Sequence, residues 1–351
     1  MTQTPETPLL ELRDLRVEFA LPTQTVHAVR GVNLSLEAGK TLCIVGESGC
    51  GKSVTARAIM QLLDPPGQIV AGQVLYHQDS AVLDVAAMDP KGKPVRALRG
   101  REMGMIFQEP MASLSPVHTI ADQVGEGMRY HFGLTKKEAL TRVLALLHQV
   151  GLANPERVAE SYPFQLSGGM LQRCMIALAL ACQPHILIAD EPTTALDVTT
   201  QAQILELMQQ LQADTGTAII LITHDLGVVA EIADTVAVMY LGEVVEYGPV
   251  TDIFADPRHP YTQALMKSVL RVDVPRVPDS RLETIDGMVP SAAMVTPGCS
   301  FASRCPEAVA GVCDRQRPET IHINQQHTTA CHYRAAEARQ PAPTAEFARR
   351  A

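Results

Sequence analysis

The sequence predicts an α/β fold whose central strands are buried on both faces. Three short segments, at 41–45, 186–190 and 218–223, are apolar almost throughout, which is typical of strands inside a largely parallel sheet. Helical segments alternate with these strands along the chain, as the crossover connections of a parallel sheet require. A glycine-rich loop follows the first strand and precedes a helix. Together these features predict a sheet covered by helices on both sides.

The N-terminal hundred residues add further strands to this plan. Two strands are predicted at 9–19 and 32–36. The helix after the glycine-rich loop should extend from Lys52 to Leu63. The polar residues 64–100 are rich in Gly and Pro and are expected to form a β-rich excursion with loops.

The middle of the chain is predicted to be helical. Residues 119–151 and 155–161 carry apolar side chains at helical spacing. Another helix is predicted over 199–216, where Gly216 suits a C-terminal cap. Residues 257–298 contain frequent prolines, so this region differs in composition from the preceding α/β segments.

Composition and charge exclude several classes of protein. The formal net charge of -9 provides no broad basic surface for nucleic acid. The N-terminus lacks the basic and apolar regions of a signal peptide, and the apolar segments are too short to cross a bilayer. We therefore expect a chain that reaches a membrane only through partners. In a reducing compartment, a tight cluster among the eight cysteines favours metal over disulfides.

The loop "GESGCGKS" at 46–53 has the spacing of a phosphate-binding loop. Its glycines let backbone N–H groups converge on phosphate oxygens, and the following helix directs its positive end at the anion. Lys52 can reach the β- and γ-phosphates, and the Ser53 hydroxyl can bind Mg²⁺. Because the loop lies between an apolar strand and a helix, nucleotide binding is favoured over a chance glycine turn.

Acidic and imidazole side chains follow the next two apolar strands. Asp190 can hold Mg²⁺, and the adjacent Glu191 can orient and deprotonate an attacking water. His224 follows the strand at 218–223 and can hydrogen-bond the γ-phosphate or the water. These residues predict nucleotide hydrolysis.

The segment "LSGGMLQR" at 166–173 forms a second helix N-terminus that can receive phosphate. One nucleotide does not need two such sites from one subunit. The simplest solution is that this second site closes on a nucleotide bound by a partner subunit.

These motifs together resemble the ATP-binding subunits of ATP-binding cassette (ABC) transporters. The resemblance covers residues 9–255 and includes Gln108 in "MIFQEP" and "ALD" at 195–197. It implies a P-loop NTPase core with a β-rich N-terminal subdomain and a helical signature subdomain. It places an ABC ATPase domain at 1–255, with the helical subdomain at approximately 109–180.

The resemblance also implies roles for individual residues. The residues expected to bind ATP and Mg²⁺ within the subunit are Phe19, Gly46, Glu47, Ser48, Gly49, Cys50, Gly51, Lys52, Ser53, Val54, Gln108, Asp190, Glu191 and His224. Mg²⁺ would be held by Ser53, Gln108 and Asp190, and the catalytic residues would be Lys52, Gln108, Glu191 and His224. Across a dimer, the partner's nucleotide would contact Ser167, Gly168, Gly169 and Asp197. Phe19 is the candidate for stacking on adenine, with His27 as the alternative. Met170 departs from the glutamine usual in the broader family and resembles the dipeptide and oligopeptide importer branch.

The C-terminal region carries the cluster Cys299, Cys305, Cys313 and Cys331. Four thiolates can bind a [4Fe–4S] cluster or Zn²⁺, and free or disulfide-linked cysteines are the remaining alternative. The H-P-Y-T stretch within 254–270 also resembles the peptide-importer branch, and this resemblance favours the [4Fe–4S] cluster. We expect an extension at 256–335 and a disordered tail at 336–351.

The function implied by the resemblance is ATP-driven uptake of di- and oligopeptides by a bacterial importer. The expected partners are a homologous ATPase subunit, favoured as a paralogue, two transmembrane permease subunits and a solute-binding protein outside the membrane. The chain would lie at the cytoplasmic face of the inner membrane. Alternative solutes are nickel complexes and glutathione. Alternative classes are a soluble ABC ATPase acting on DNA or ribosomes and a nucleotide-binding regulator.

Overall fold

The structure is a computed structural model, and it describes residues 8–78, 81–194, 196–268, 285–294 and 297–339. Ala195 of the predicted "ALD" motif lies outside the described residues, as does the part of the predicted tail at 340–351. Residues 336–339 of that tail belong to the last helix.

The described residues form twelve β-strands and twelve α-helices. The strands are β1 Leu10–Ala20, β2 Thr25–Leu36, β3 Thr41–Val45, β4 Gly67–Gln78, β5 Ala81–Asp84, β6 Met103–Ile106, β7 Ile186–Asp190, β8 Ala218–Ile222, β9 Thr235–Tyr240, β10 Glu243–Pro249, β11 Ile321–His322 and β12 Thr328–Thr329. The helices are α1 Lys52–Ile59, α2 Lys93–Leu98, α3 Pro110–Ser113, α4 Ile120–Phe132, α5 Lys136–Gln149, α6 Pro155–Glu160, α7 Gly168–Leu180, α8 Val198–Thr215, α9 Leu226–Ile232, α10 Val250–Ala255, α11 Pro260–Lys267 and α12 His332–Arg339.

An eight-stranded sheet has the order β11-β12-β10-β9-β3-β8-β7-β6. The neighbours from β9 to β6 run parallel, whereas β10, β12 and β11 are joined by antiparallel pairings. The carboxyl ends of β3, β7 and β8 therefore lie at the same edge of the sheet. This arrangement brings together the three segments in which the sequence predicts functional side chains.

Both faces of the central strands are buried. Along β3, Cys43 and Val45 belong to one apolar core, and Leu42 and Ile44 belong to the other. Successive side chains of a strand point to opposite faces, so a strand inside two cores must be apolar at every position. The predicted α/β fold is confirmed.

A second sheet, of four antiparallel strands, has the order β2-β1-β4-β5. It contains the predicted N-terminal strands and, as β4 and β5, the strands of the predicted β-rich excursion. Helix α2 also lies within 64–100 and was not predicted. It begins after Gly92 with Pro94 in its first turn, where a proline costs no helical hydrogen bond.

The helix after the glycine-rich loop is shorter than predicted. It ends at Ile59 rather than Leu63. Gln61 adopts a left-handed backbone conformation with a φ of 53°, and its side-chain amide donates to the carbonyls of Val85 and Ala86. These tertiary hydrogen bonds replace the last predicted turn of the helix.

The helical region at 110–180 consists of α3 to α7. The helical residues predicted over 119–151 form two helices, because Gly133 ends α4 with a φ of 65°. Thr135 and Glu138 then form a capping box that begins α5. Within the described residues, no helix has both the length and the apolar character needed to cross a bilayer.

The C-terminal region is attached directly to the main sheet. Strand β12 pairs with β10, placing Thr329 opposite Glu246 and Thr328 opposite Tyr247. The buried His327 Nε2 lies 2.7 Å from a carboxylate oxygen of Glu246, which is itself buried. Through β12 and β11, the C-terminal region therefore shares a sheet with the nucleotide-site strands.

Candidate nucleotide-binding site

The loop between β3 and α1 requires glycine at two positions. A Cβ atom on Gly46 would lie 2.2 Å from the carbonyl oxygen of Met239, and one on Gly51 would lie 2.4 Å from that of Ala28. Both residues also have positive φ values, 150° and 101°. Side chains are therefore excluded at both positions, because the loop packs directly against the backbone of Met239 and Ala28.

Lys52 lies within this loop. Its ammonium Nζ donates to the carbonyl oxygen of Gly46 at 2.8 Å and to that of Glu47 at 3.1 Å, and the residue is 5% exposed. The charge is thus held by loop carbonyls at the N-terminus of α1. A bound triphosphate would provide stronger anionic acceptors for the same ammonium group.

Two oxygen ligands suitable for Mg²⁺ meet beside the loop. The Ser53 hydroxyl donates to Asp190 Oδ1 at 2.9 Å, although 137 positions separate the two residues. Asp190 is 2% exposed. Burial raises the pKa of its carboxyl group, and the Ser53 hydrogen bond opposes that rise. A buried carboxylate next to a hydroxyl fits a hard divalent cation, which would compensate the buried charge.

Glu191 connects the remaining predicted catalytic residues. Its Oε2 accepts from Gln108 Nε2 at 3.2 Å and from Thr194 Oγ1 at 2.9 Å. The same oxygen lies 3.6 Å from His224 Nδ1. Glu191 has a φ of 48°, and its backbone N–H donates to the carbonyl of Ile222. The chain thus turns sharply at the end of β7. The turn holds the carboxylate between Gln108, which follows β6, and His224, which follows β8.

Thr194 was not predicted from the sequence. Its hydroxyl fixes the Glu191 carboxylate from three positions further along the chain. The spacing of an acid and a threonine in "EPTT" is a local signal that could have indicated this contact.

The signature segment forms an exposed surface. Ser167 caps α7 by accepting from the Met170 N–H at 3.4 Å, and both Ser167 and Gly168 are exposed. A Cβ atom on Gly169 would lie 3.2 Å from Thr200 Cγ2. Thr200 in turn donates to the carboxylate of Asp197, the cap of α8, with its backbone N–H at 3.0 Å and its hydroxyl at 2.7 Å. The structure thus brings the signature and Asp197 onto one surface.

The remaining predicted nucleotide contacts lie around the loop. Ser48 and Gly49 are exposed, and Val54 is half-buried against the apolar core that contains Leu42 and Ile44. Cys50 is buried, with Sγ 3.8 Å from Lys52 Nζ. Burial raises the pKa of the Cys50 thiol, which favours its neutral form.

Phe19 lies near the end of β1 and is half-buried. It pairs with Val26 in the sheet and packs against the apolar core that contains Leu42 and Ile44. His27 Nδ1 lies 2.8 Å from Glu18 Oε1. Stacking of Phe19 or His27 on adenine stays a prediction.

The four C-terminal cysteines line one narrow cavity. Backbone N–H groups are directed at each sulfur; they belong to Phe301, Glu307, Val309, Tyr333 and Arg334. Burial raises the pKa of Cys299 to about 12 and that of Cys305 to about 11. Four cysteine sulfurs surrounded by N–H donors are chemically suited to binding a group through thiolates. Among the described residues, however, no set of three or more His, Cys, Asp or Glu side chains is arranged to hold a metal ion as it stands.

The fold and this site define a class of protein. A phosphate loop after β3, an Asp–Glu pair at the end of β7, a histidine after β8 and a signature helix are the parts of an ATP-binding cassette. The ABC transporter family profile matches residues 29–194, and the profile of the oligopeptide/dipeptide transporter C-terminal region matches residues 245–313.

Whole-chain comparisons agree with this class. The chain is 48% identical over 324 residues to the dipeptide transport ATP-binding protein DppD of Bacillus subtilis, covering 92% of this chain and 94% of that protein. It is 45% identical over 323 residues to the oligopeptide transport ATP-binding protein AppD of the same organism, covering 92% and 96%. The dimeric structure of the bacterial ABC transporter cassette MJ0796 is similar with a TM-score of 0.61 and 28% identity, covering 69% of this chain and 98% of that one.

The chain belongs to the ABC transporter family of ATP-binding proteins. It is an ABC-type ATPase that uses ATP with Mg²⁺, as the phosphate loop and the paired acids predicted. The predicted ABC ATPase core with a C-terminal cysteine-containing region is confirmed at the level of the family.

Proposed function

We propose that this chain is the ATP-hydrolysing subunit of a bacterial importer that takes up di- and oligopeptides. The observation that carries the proposal is the combination of an intact hydrolytic site with a C-terminal region of the oligopeptide/dipeptide transporter type at 245–313. Relatives that align over most of the chain are named as dipeptide and oligopeptide transport ATP-binding proteins. An intact site favours an active ATPase over a nucleotide-binding regulator.

In the proposed reaction, water attacks the γ-phosphorus of ATP while the bond to the β,γ-bridging oxygen breaks. Glu191 accepts the proton of the water, and the products are ADP and inorganic phosphate. Thr194 and Gln108 hold the carboxylate, and Lys52 stabilises charge on the phosphates. Mg²⁺, held by Ser53 and Asp190 with Gln108 nearby, would neutralise phosphate charge. His224, whose side chain is 66% exposed, is free to contact the nucleotide.

We propose that two ATPase subunits share each nucleotide. Ser167, Gly168, Gly169 and Asp197 would contact the ATP of a homologous partner, which is favoured as a paralogue over a second copy. The exposure of the signature surface supports this role, because a helix N-terminus facing solvent can receive an anion from another subunit. Closure around ATP and reopening after hydrolysis would drive the membrane subunits.

The proposed contact with the two permease subunits lies near the signature. Tyr162 and Phe164 stack with centroids 5.7 Å apart and planes 11° apart, and Phe164 is 63% exposed. Met111 and Val117, which follow Gln108, are also exposed. Exposed aromatic and apolar side chains of this kind suit a protein partner. Through the permeases, the chain would lie at the cytoplasmic face of the membrane and cooperate with a solute-binding protein outside it.

We propose that Cys299, Cys305, Cys313 and Cys331 hold a [4Fe–4S] cluster, with Zn²⁺ as the alternative. The shared cavity and the N–H groups directed at the sulfurs support a thiolate-bound group. The group would stabilise a region with few strands and little core of its own. It has no proposed part in hydrolysis.

Metal analysis tests this proposal. Chain purified anaerobically is expected to contain about four irons and four sulfides, or one zinc in the alternative. Cys313→Ser should lose the metal and unfold at a lower temperature. Cys174→Ser, a change at a buried cysteine in α7, should retain it. Metal-free wild-type protein with all four thiols open to alkylation would contradict the proposal.

Transport by the reconstituted complex tests the function. We expect the chain to co-purify with two permease subunits and to hydrolyse ATP faster when a peptide-loaded binding protein is added to the vesicles. Uptake of labelled dipeptides or oligopeptides should require ATP. Uptake of nickel complexes or glutathione but not peptides would reassign the solute. Hydrolysis stimulated by DNA or ribosomes instead would support the soluble alternative.

A further inference from the structure

The C-terminal region contacts the phosphate loop itself. The guanidinium group of Arg304 forms two hydrogen bonds with the Glu47 carboxylate, from Nη1 to Oε2 at 2.7 Å and from Nη2 to Oε1 at 3.1 Å. The Arg304 side chain is 4% exposed, and 257 positions separate the two residues. A two-pronged contact of this kind, made by a buried guanidinium group, fixes the orientation of both groups.

A second group from the C-terminal region holds the backbone of the same loop residue. The Tyr261 hydroxyl accepts from the Glu47 N–H at 2.9 Å. Tyr261 is fully buried, with its ring centroid 4.8 Å from that of Tyr240 and 5.3 Å from that of Phe301. This aromatic cluster leaves the hydroxyl little freedom to move.

Arg304 is itself anchored by the surrounding chain. Its Nε donates to the carbonyl of Asp286 at 3.0 Å, its Nη2 to that of Ile285 at 3.3 Å, and its Nη1 to the hydroxyl of Tyr240 at 3.3 Å. Tyr240 ends β9, the strand next to β3 in the main sheet. The guanidinium therefore links the loop to a rigid part of the sheet.

Glu47 is restrained at three points. Its N–H is held by Tyr261, its carbonyl accepts from Lys52 Nζ, and its carboxylate is held by Arg304. Two consequences follow for a bound triphosphate. The loop backbone is fixed before the nucleotide arrives, which lowers the entropic cost of binding. The negative charge of Glu47, which would otherwise repel the phosphates, is paired.

We propose that Arg304 and Tyr261 are positioning residues for ATP, acting through Glu47 from outside the ATPase motifs. Neither residue belongs to a motif that the sequence analysis assigned to the nucleotide. The proposal rests on ATP binding at residues 46–53 and is independent of which solute is transported.

The test measures the dissociation constant of the full chain for ATP with Mg²⁺, by titration with a fluorescent ATP analogue and competition with ATP. Arg304→Gln leaves the Glu47 carboxylate unpaired beside the phosphates and should weaken binding roughly tenfold. Tyr261→Phe keeps the ring but loses one hydrogen bond, and it should weaken binding about threefold to tenfold. Wild-type binding in the same titration checks the nucleotide site separately.

A double-mutant cycle separates positioning from general stability. Glu47→Gln removes the charge that Arg304 pairs, so Glu47→Gln combined with Arg304→Gln should bind ATP within about twofold of Glu47→Gln alone. The matched control is Arg317→Gln. Arg317 also joins the C-terminal region to the rest of the chain, through Glu243 of β10 at 3.1 Å and the carbonyl of Arg30 in β2 at 2.8 Å, without contacting the loop. Its variant should bind ATP within about twofold of wild type.

Steady-state kinetics provide a further test, because we expect KM to change and kcat to stay the same. In the assembled transporter, Arg304→Gln should raise the KM for ATP and retain kcat, because the residue does not touch the reacting atoms. Equal ATP affinity of wild type, Arg304→Gln and Tyr261→Phe would overturn the proposal. So would additive effects in the cycle, or the same loss in Arg317→Gln. If Arg304→Gln does not fold, the ATP affinity of Tyr261→Phe is the test: weaker binding supports the proposal, and binding equal to wild type overturns it.

Discussion

Glu191→Gln is expected to reduce ATP hydrolysis by about 10²–10⁴-fold while ATP binding is retained. The amide has nearly the shape of the carboxylate and can still accept from Thr194, but it cannot take a proton from water. Lys52, Ser53 and Asp190 are unchanged, so the nucleotide should remain bound. The variant should accumulate as a closed pair of subunits, measured by phosphate release, retained nucleotide and size-exclusion chromatography.

The matched control is Glu102→Gln. Glu102 is a glutamate that is hydrogen-bonded like Glu191; it is buried and accepts from the hydroxyl of Tyr76 at 3.1 Å. It precedes β6 at the opposite end of the parallel strands from the nucleotide site. The same chemical change there should leave turnover within about twofold of wild type. Undiminished turnover by Glu191→Gln would remove Glu191 from its proposed role as general base.

Gly169→Asp is expected to reduce hydrolysis by the assembled subunits by at least about 10²-fold. The new carboxylate would lie on the signature surface, where the γ-phosphate of the partner's ATP is proposed to bind, and two like charges would repel. A Cβ atom at this position would also lie only 3.2 Å from Thr200. ATP binding by the isolated chain should change by less than about twofold, because the chain's own phosphate loop is intact.

Gly133→Asp provides the control for the signature substitution. Gly133 ends α4 in the same helical region, and among the described residues no heavy atom outside its immediate neighbours lies within 4 Å of an added Cβ. Its φ of 65° is one that Asp tolerates better than most residues. The control adds the same charge away from the signature and should hydrolyse ATP normally. Equal activity of Gly169→Asp and Gly133→Asp in the assembled pair would argue against a shared nucleotide.

The sequence was most informative where a functional side chain follows directly from a strand end. Lys52 and Ser53 come after β3, Asp190 ends β7 with Glu191 directly after it, and His224 comes after β8. Parallel strands bring their carboxyl ends to one edge, so apolar runs that predict the strands also predict that these residues meet. The contacts between Ser53 and Asp190, and between Gln108 and Glu191, agree with that expectation.

Contacts that depend on tertiary packing were not predicted. Tyr261 and Arg304 reach Glu47 from 214 and 257 positions away, and no local pattern indicates which loop they approach. The H-P-Y-T stretch drew attention to Tyr261 only as part of a family pattern. Its role at the loop emerges from the aromatic cluster that buries it.

Element boundaries were also changed by local hydrogen bonds. Helix α1 ends early because Gln61 turns its amide toward Val85 and Ala86 rather than continuing the helix. Strands β11 and β12 are too short to produce a periodic signal in the sequence. They are recognised only through their pairing beside β10.

The most direct test of the shared nucleotide is the structure of Glu191→Gln assembled with its ATPase partner and permeases, trapped with ATP and Mg²⁺. The account predicts that Ser167 and Gly169 of this chain lie within hydrogen-bond distance of the γ-phosphate in the partner's phosphate loop. Two results together would contradict the account. The signature surface would be remote from every nucleotide in that structure, and the wild-type chain would hydrolyse ATP at full rate as a monomer.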